Sequence, residues 1–306
     1  MTTITLLLAM LSAEAVEHYG TFAAGDFRCV IGDNAALGKH GERYNGVFSI
    51  AAPGMTESPF VEAYAGLNLE HYFDGRVRPS EQGVFFEPRV APMVFSRVSD
   101  KVAELHQPVS PVFKMESWTR FEVTAPNCVD MRFRCVPHEE VFQGGFFGVF
   151  WASYINAPED KSIYFLDAGS ALDAPRWVQL CTQKHGGACS VQHESDNLEL
   201  PFQEPGDLLY ANPALLRYSV PFFYGRIRDH VLIYIFKPGP VVRFAHSPSG
   251  GGRTAAGDAS NPAWDFQLIV PKYEIGKEYG LEMRLVCKPW VDRADVLNEV
   301  RKYLAP

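Results

Sequence analysis

The sequence predicts an all-β protein, one large antiparallel β-sandwich with a short C-terminal helix, and three observations predict it. Aromatic residues make up 13% of the chain, beside 25 Gly and 22 Pro, a balance that favours pleated, half-buried surfaces punctuated by turns. Short apolar, β-branched and aromatic runs follow one another closely, each bounded by Pro, Gly, Asn or Asp. No alternation of strand-like and helix-like segments separates them, which argues against a doubly wound parallel sheet.

Residues 1–15 carry the apolar run ITLLLAML ahead of Ala13-Glu14-Ala15, the outline of a short signal peptide, but no Lys or Arg precedes Arg28 to supply its charged start. The missing charge favours the cytoplasm over export. Residues 16–289 read as a single sandwich domain, and 290–306 as a helix that caps it. From Glu17 to Ile50 the pattern gives two strands joined by a polar turn region around Gly32 to Gly41. The stretch from Phe60 to Arg78 has no helical stripe and turns at Asp74-Gly75. Gly83 to Val98 reads as strand, with Pro88 and Pro92 placing it at an edge or a bulge.

The middle of the chain is the most strand-like. Val129, Met131, Phe133 and Cys135 alternate with Asp130, Arg132 and Arg134, the pattern of a strand with one wet face. FFGVFWASYI is apolar on both faces and belongs between two layers. In the last segment Asp292 can cap a helix whose Leu297, Val300 and Leu304 form one apolar stripe.

Composition excludes some classes of function. The 306 residues carry a formal net charge of −8 with no Lys/Arg cluster, which is not the footprint of a nucleic-acid binder. No apolar run reaches the ~18 residues of a membrane span. None of the six cysteines lies in a CxxC, so zinc-ribbon and thioredoxin chemistry have no support. Cys181 and Cys189 flank a turn at Gly186-Gly187, where a hairpin would bring them close. They read as buried free thiols, since a disulfide needs an oxidising compartment.

Four places can carry chemistry. The segment from Phe244 to Trp264 joins two apolar runs and offers His246, Arg253, Asn261 and Trp264 among glycines. These can donate, accept, carry charge and stack on a polyhydroxylated ligand, and Arg253 can grip a carboxylate or vicinal hydroxyls. SPSGGGR lacks P-loop spacing, and no G-x-S-x-G elbow occurs. Asn68 to Arg76 packs Glu70, His71, Tyr72, Asp74 and Arg76 together, but strict strand alternation would put Glu70 and His71 on opposite faces. His138 with Glu139 and Glu140, and His193 with Glu194, offer acid–base pairs or ligands for a divalent ion, without H-x-H or H-E-x-x-H spacing. Trp151, Tyr154, Tyr218, Tyr224 and Arg226 lie on strands, with Gly225 in FFYGR a candidate bulge. For each of these the plain alternative is a satisfied core or surface residue.

In length and strand density, with His, Arg, Glu and Trp offered from loops, the chain resembles the enlarged sandwich, the super-sandwich, of galactose-mutarotase-like carbohydrate-processing proteins. The resemblance is architectural and implies a His and a Glu exchanging protons at a sugar's anomeric centre, without assigning that pair to positions here. The expected function is a carbohydrate-active enzyme, a glycan lyase, glycoside hydrolase or sugar epimerase, with no organic cofactor and room for a divalent metal ion. His246, His71, Glu70 and Tyr224 are the candidate catalytic residues. Arg253, Trp264, Trp151, Arg226, Asn261 and His138 are the candidate contacts to a small-molecule or oligosaccharide substrate. The alternative is a non-catalytic carbohydrate-binding or structural module. A cleft with converging His, carboxylate and Arg would favour the enzyme, and a flat aromatic face the binder.

Overall fold

The computed structural model describes residues 16–35, 43–76, 82–202, 211–257 and 259–305. The apolar segment 1–15 therefore lies outside the described residues. Strands β1 (Tyr19–Ala24), β2 (Phe27–Gly32) and β3 (Gly46–Ala51) form a small antiparallel sheet. The expected two strands are three, because Gly25, at φ +65°, turns the first run back on itself.

Strand β4 (Asn68–Phe73) is followed by two single-turn helices, α1 (Gln82–Phe85) and α2 (Glu87–Val90), and then β5 (Val94–Ser99). The stretch read as one strand from Gly83 is thus helix first, with Pro88 in the opening turn of α2, where no backbone donor is lost. Strands β6 (Val102–Gln107), β7 (Met115–Thr124), β8 (Cys128–Pro137), β9 (Phe147–Ala152), β10 (Ile163–Leu166) and β11 (Trp177–Leu180) follow. After them come β12 (Ser190–His193), β13 (Pro213–Tyr218), β14 (Phe222–Ile227), β15 (His230–Phe236), β16 (Val241–Ser247), β17 (Ala263–Val270) and β18 (Tyr279–Pro289). The chain closes with α3 (Arg293–Leu304), whose cap Asp292 accepts the Asp295 amide at 2.8 Å.

Nine strands form a front sheet in the order β11-β10-β14-β15-β18-β8-β7-β6-β5, and six form a back sheet in the order β13-β12-β16-β17-β9-β4. Every pairing is antiparallel except β12 with β13. The architecture is a large antiparallel β-sandwich, with the main core between the two sheets, contributed by Phe133, Tyr234, Leu285 and Met283 in front and Trp151, Phe244, Trp264 and Phe266 behind. Val296, Leu297 and Val300 of α3 cover the outer surface of the front sheet over Tyr224, Ile233 and Val286. The helix therefore lies on a sheet face rather than over a sheet end. β8 alternates as its sequence does, with Met131, Phe133 and Cys135 buried and Arg132 exposed.

The outer face of the back sheet is also buried. Phe73, Phe150, Ala152, Tyr154, Ala245 and Ile269 lie there under Leu198, Leu200 and Phe202. All six residues of β9 are consequently inaccessible, as its double-sided apolar pattern requires. The Gly186-Gly187 turn does not close a hairpin, because β11 belongs to the front sheet and β12 to the back. Cys181 and Cys189 are free thiols, like the other cysteines.

Candidate active site

A single irregularity in β4 builds the site. Leu69 pairs with Trp151 and His71 with Phe150, so Glu70 is an extra residue in the ladder, a β-bulge. Leu69 and Tyr72 reach the inter-sheet core while Phe73 and Phe150 face out, and the bulge lets Glu70 and His71 both turn outward. Strict alternation would have separated them.

The imidazole and the carboxylate meet there. His71 Nε2 lies 3.0 Å from Glu70 Oε1, and its Nδ1–H donates to the Phe85 carbonyl at 2.5 Å. Both ring nitrogens of His71 thus face acceptors, one a carboxylate and one a carbonyl. Glu70 Oε2 accepts from Asn68 Nδ2 at 3.0 Å, from Arg89 Nη1 at 3.4 Å and from the Tyr154 hydroxyl. Both side chains are buried, 7% and 5% exposed, so these charges attract one another through little water. Burial alone would raise the Glu70 pKa, but the charge and hydrogen bond of His71, with Arg89 and Tyr154, outweigh it and hold the carboxyl below its ordinary value. The same burial, with Glu70 beside it, keeps the Tyr154 phenol protonated far above its usual range.

Arg89 was not anticipated, since it sits in the stretch read as strand. Helix α2 is pinned before Arg89 is placed. Glu87 accepts from Ser110 Oγ and the amides of Val112 and Phe113, Gln107 donates to the Pro88 carbonyl at 2.9 Å, and Asn34 donates to the Ala91 carbonyl at 2.7 Å. Arg89 is thereby held 3.9 Å above the ring of Tyr44, which packs against Tyr64 and Tyr154.

A second unanticipated carboxyl shares this face. On β17, Trp264, Phe266 and Leu268 point inward, which sends Asp265 and Gln267 outward; both are 0% exposed. Asp265 Oδ1 accepts the Ser153 amide at 3.2 Å, but Oδ2 is buried with no hydrogen-bond partner among the described residues, as is Gln267 Oε1. Burial, and then the nearby negative charge of Glu70, raise the Asp265 pKa well above its usual value. Two carboxyls on one face thus shift in opposite directions, Glu70 down and Asp265 up, the arrangement that divides base from acid. Asp265 was legible in principle. A strand neighbouring the doubly apolar β9 has to bury both faces, and AWDFQLIV places Asp and Gln two apart on the outer one.

The remaining expected site residues lie elsewhere. His246 is not in a loop: it is on β16, paired with Trp264 across the ladder. Its Nε2–H donates to the Lys161 carbonyl at 2.8 Å, and Nδ1 accepts from the Thr182 amide at 3.2 Å and sits 2.7 Å from Thr182 Oγ1. Trp264 Nε1 donates to the same Lys161 carbonyl at 2.8 Å. Imidazole and indole therefore fasten the Lys161 segment to the sheet rather than line a hollow. Arg253 is exposed and turns back to the Gly257 carbonyl at 3.0 Å, and Asn261 braces the loop through the Gly251 carbonyl and the Ala157 amide. The expected hollow shared by imidazole, guanidinium and indole does not form, because alternation along β16 and β17 sends His246 and Trp264 inward. Arg253→Ala is expected to change stability by no more than about 0.5 kcal/mol, read by urea denaturation; a larger loss would show that the loop braces the sheet through its guanidinium.

Trp151 lies in the inter-sheet core, stacked 5.1 Å from Phe266 and edge-on to Phe133. Tyr224 faces α3 on the outer side of the front sheet, where its hydroxyl accepts from Arg293 Nε at 3.1 Å, and Arg226 lies over Trp290. The ladder through Gly225 is regular, so that glycine is not a bulge. His138 lies outside the front sheet and, with His106, brackets Glu116 at 3.0 and 2.9 Å. Glu70 and His71 are the expected residues that the fold brings together. Among the described residues no group of three or more His, Cys, Asp or Glu side chains is spaced to hold a metal ion.

Burial of His246 has a measurable consequence. Burial pushes the ring pKa down to about 4, against the pull of the hydrogen bond to Lys161. The unfolded chain takes up this proton near pH 6.5 and the folded protein only near 4. The stability is therefore fully present above 6.5 and lost as pH falls between those values, by about 3 kcal/mol in all. His246→Gln is expected to flatten that part of the profile, seen as urea midpoints at pH 7.5 and 5; an equal drop in both proteins would assign the acid loss to other groups.

No family model matches the sequence, and no curated protein sequence matches it. Among solved structures, the chain is similar to a galactose mutarotase-like protein from Lactobacillus casei, at 9% identity and a TM-score of 0.46, covering 88% of this chain and 100% of that one. It is similar to an aldose epimerase homologue from C. elegans, at 9% identity and a TM-score of 0.46, with 89% and 100% covered. A heparan sulfate lyase from Pedobacter heparinus aligns at 9% identity and a TM-score of 0.44, over 91% of this chain and 36% of that one. At these values the likeness is one of overall architecture.

Proposed function

We propose that this protein is a carbohydrate-active enzyme that moves protons at the anomeric centre of a neutral sugar, on the outer face of the back sheet. The observation that carries this reading is the bulge at Glu70. It gathers Glu70, whose carboxyl is held below its ordinary pKa, with His71, Arg89 and Tyr154 on the face where burial raises that of Asp265. Asp265 would give its proton to a ring or leaving-group oxygen, and Glu70 would take one from the hydroxyl at C1 or from a water. Hydrolysis and ring-opening epimerisation share that step. A uronate lyase fits less well, since its substrate carboxylate needs a cation. Arg89 is already committed to Glu70, the Arg43 carbonyl and two aromatic rings.

The test is a panel of neutral and acidic glycans, read by NMR exchange between anomers, by reducing-end release and by absorbance of an unsaturated product. Turnover is expected in one of the first two channels, with the third silent. Turnover in none, from folded protein, would sink the reading in favour of a binding module.

A further inference from the structure

We infer that the back sheet carries a second carbohydrate pocket, over β12 and β13, and that the substrate is therefore an oligosaccharide rather than a free monosaccharide. This rests on reading the Glu70–Asp265 face as a sugar site. A cavity of about 430 Å³ lies between these strands and the segment 196–202. Its floor continues a polar row across the sheet. Gln267 pairs with Arg243, the Val191–Phe244 pairing sets Gln192 beside Arg243, and Gln192 pairs with Arg217.

Two arginines prop the cavity open. Arg243, 5% exposed, grips Asp196, 3% exposed, through Nε at 2.7 Å and Nη2 at 3.2 Å. Arg217 Nη1 donates to the carbonyls of His193 and Asp196, at 3.2 and 2.6 Å. A buried ion pair contributes little net stability, so its effect here is to fix the height of the segment above the sheet. Gln192, Asn197 and Glu199 add donors and acceptors at the rim, and Leu198, Leu200, Phe202 and Pro213 an apolar wall. Hydroxyls against the first set and a C–H face against the second describe a sugar ring. An anion is disfavoured, because Asp196 and Glu199 offset the two guanidiniums. From β17 to β12 is two strand spacings, about 10 Å, which is within the span of a short glycan lying across the strands.

The experiment compares glucose and galactose with maltotriose, cellotriose and β-1,4-galactotriose, by ligand-observed NMR titration and by turnover. At least one trisaccharide is expected to bind 10-fold or more tightly than its monosaccharide, and Gln192→Trp, which fills the cavity, should bring that ratio close to one. Gln192→Ala, which only removes the amide, guards against a folding defect and should reduce the ratio in part. Equal affinities, or a length preference that survives Gln192→Trp, overturn the pocket; if Asp265-dependent turnover persists, the active-site reading stands alone. Trisaccharide binding that depends on Gln192, without such turnover, sinks that reading and leaves a binding site. No binding by any of these glycans overturns both.

Discussion

Asp265→Asn is expected to lower turnover by at least about 100-fold while raising the melting temperature, a pairing that a merely structural carboxyl would not give. Asparagine keeps the acceptor for the Ser153 amide and fills the same volume, so packing is preserved. What it removes is the acidic proton that the raised pKa lets the Asp265 carboxyl keep. The sign of the stability change follows from linkage. Because the folded pKa is raised, the native state holds a proton that the unfolded chain releases near pH 3.8, so Asp265 costs stability as pH rises above that value. Removing the ionisable group removes the cost. Glu70→Gln should behave oppositely in stability, losing about 3–5 kcal/mol, because an amide cannot compensate the buried Arg89 charge and would oppose a donor to the Asn68 and Tyr154 donors around it. Calorimetry and turnover on one sugar, for both variants, check the pair; an Asp265→Asn protein with native rate would remove that carboxyl from the chemistry.

Gly225→Ala is expected to destabilise the fold by about 3 kcal/mol or more, at the upper end of overpacking costs. An ideal Cβ there would lie 2.2 Å from Cη2 of Trp264, with two further indole atoms at 2.4 and 2.5 Å. The indole cannot retreat, because it is wholly buried and its Nε1 is tied to the Lys161 carbonyl. The front and back sheets therefore interlock where a glycine on β14 receives a tryptophan from β17. Urea denaturation measures the loss, and an unchanged midpoint would mean that the two sheets can part locally without cost.

Much of the sandwich was legible because it follows from local pattern. The strict alternation in β8, the double-sided apolar run of β9 and the capped stripe of α3 each report which faces must leave water. The site was legible only in part. Glu70 and His71 stood out as a carboxylate beside an imidazole, yet period-two reasoning placed them on opposite faces. His246 and Trp264 stood out because a glycine-rich stretch lies between them, but the ladder extends through both and turns them into the core. Arg89 was masked by a proline that reads as the mark of an edge strand or a bulge and acts as a helix opener.

The sequence by itself determined that this chain is an antiparallel sandwich with a helical end and a surplus of buried aromatic surface, because hydrophobic period and turn chemistry act over a few residues and survive without partners. Tertiary structure alone decided which polar residues meet. One extra residue in β4 rotates Glu70 to the side of His71, and burial of the outer face raises the Asp265 pKa while His71, Arg89 and Tyr154 lower that of Glu70 against the same burial. Those are consequences of strand register and of layers covering one another, and they depend on residues far apart in the chain.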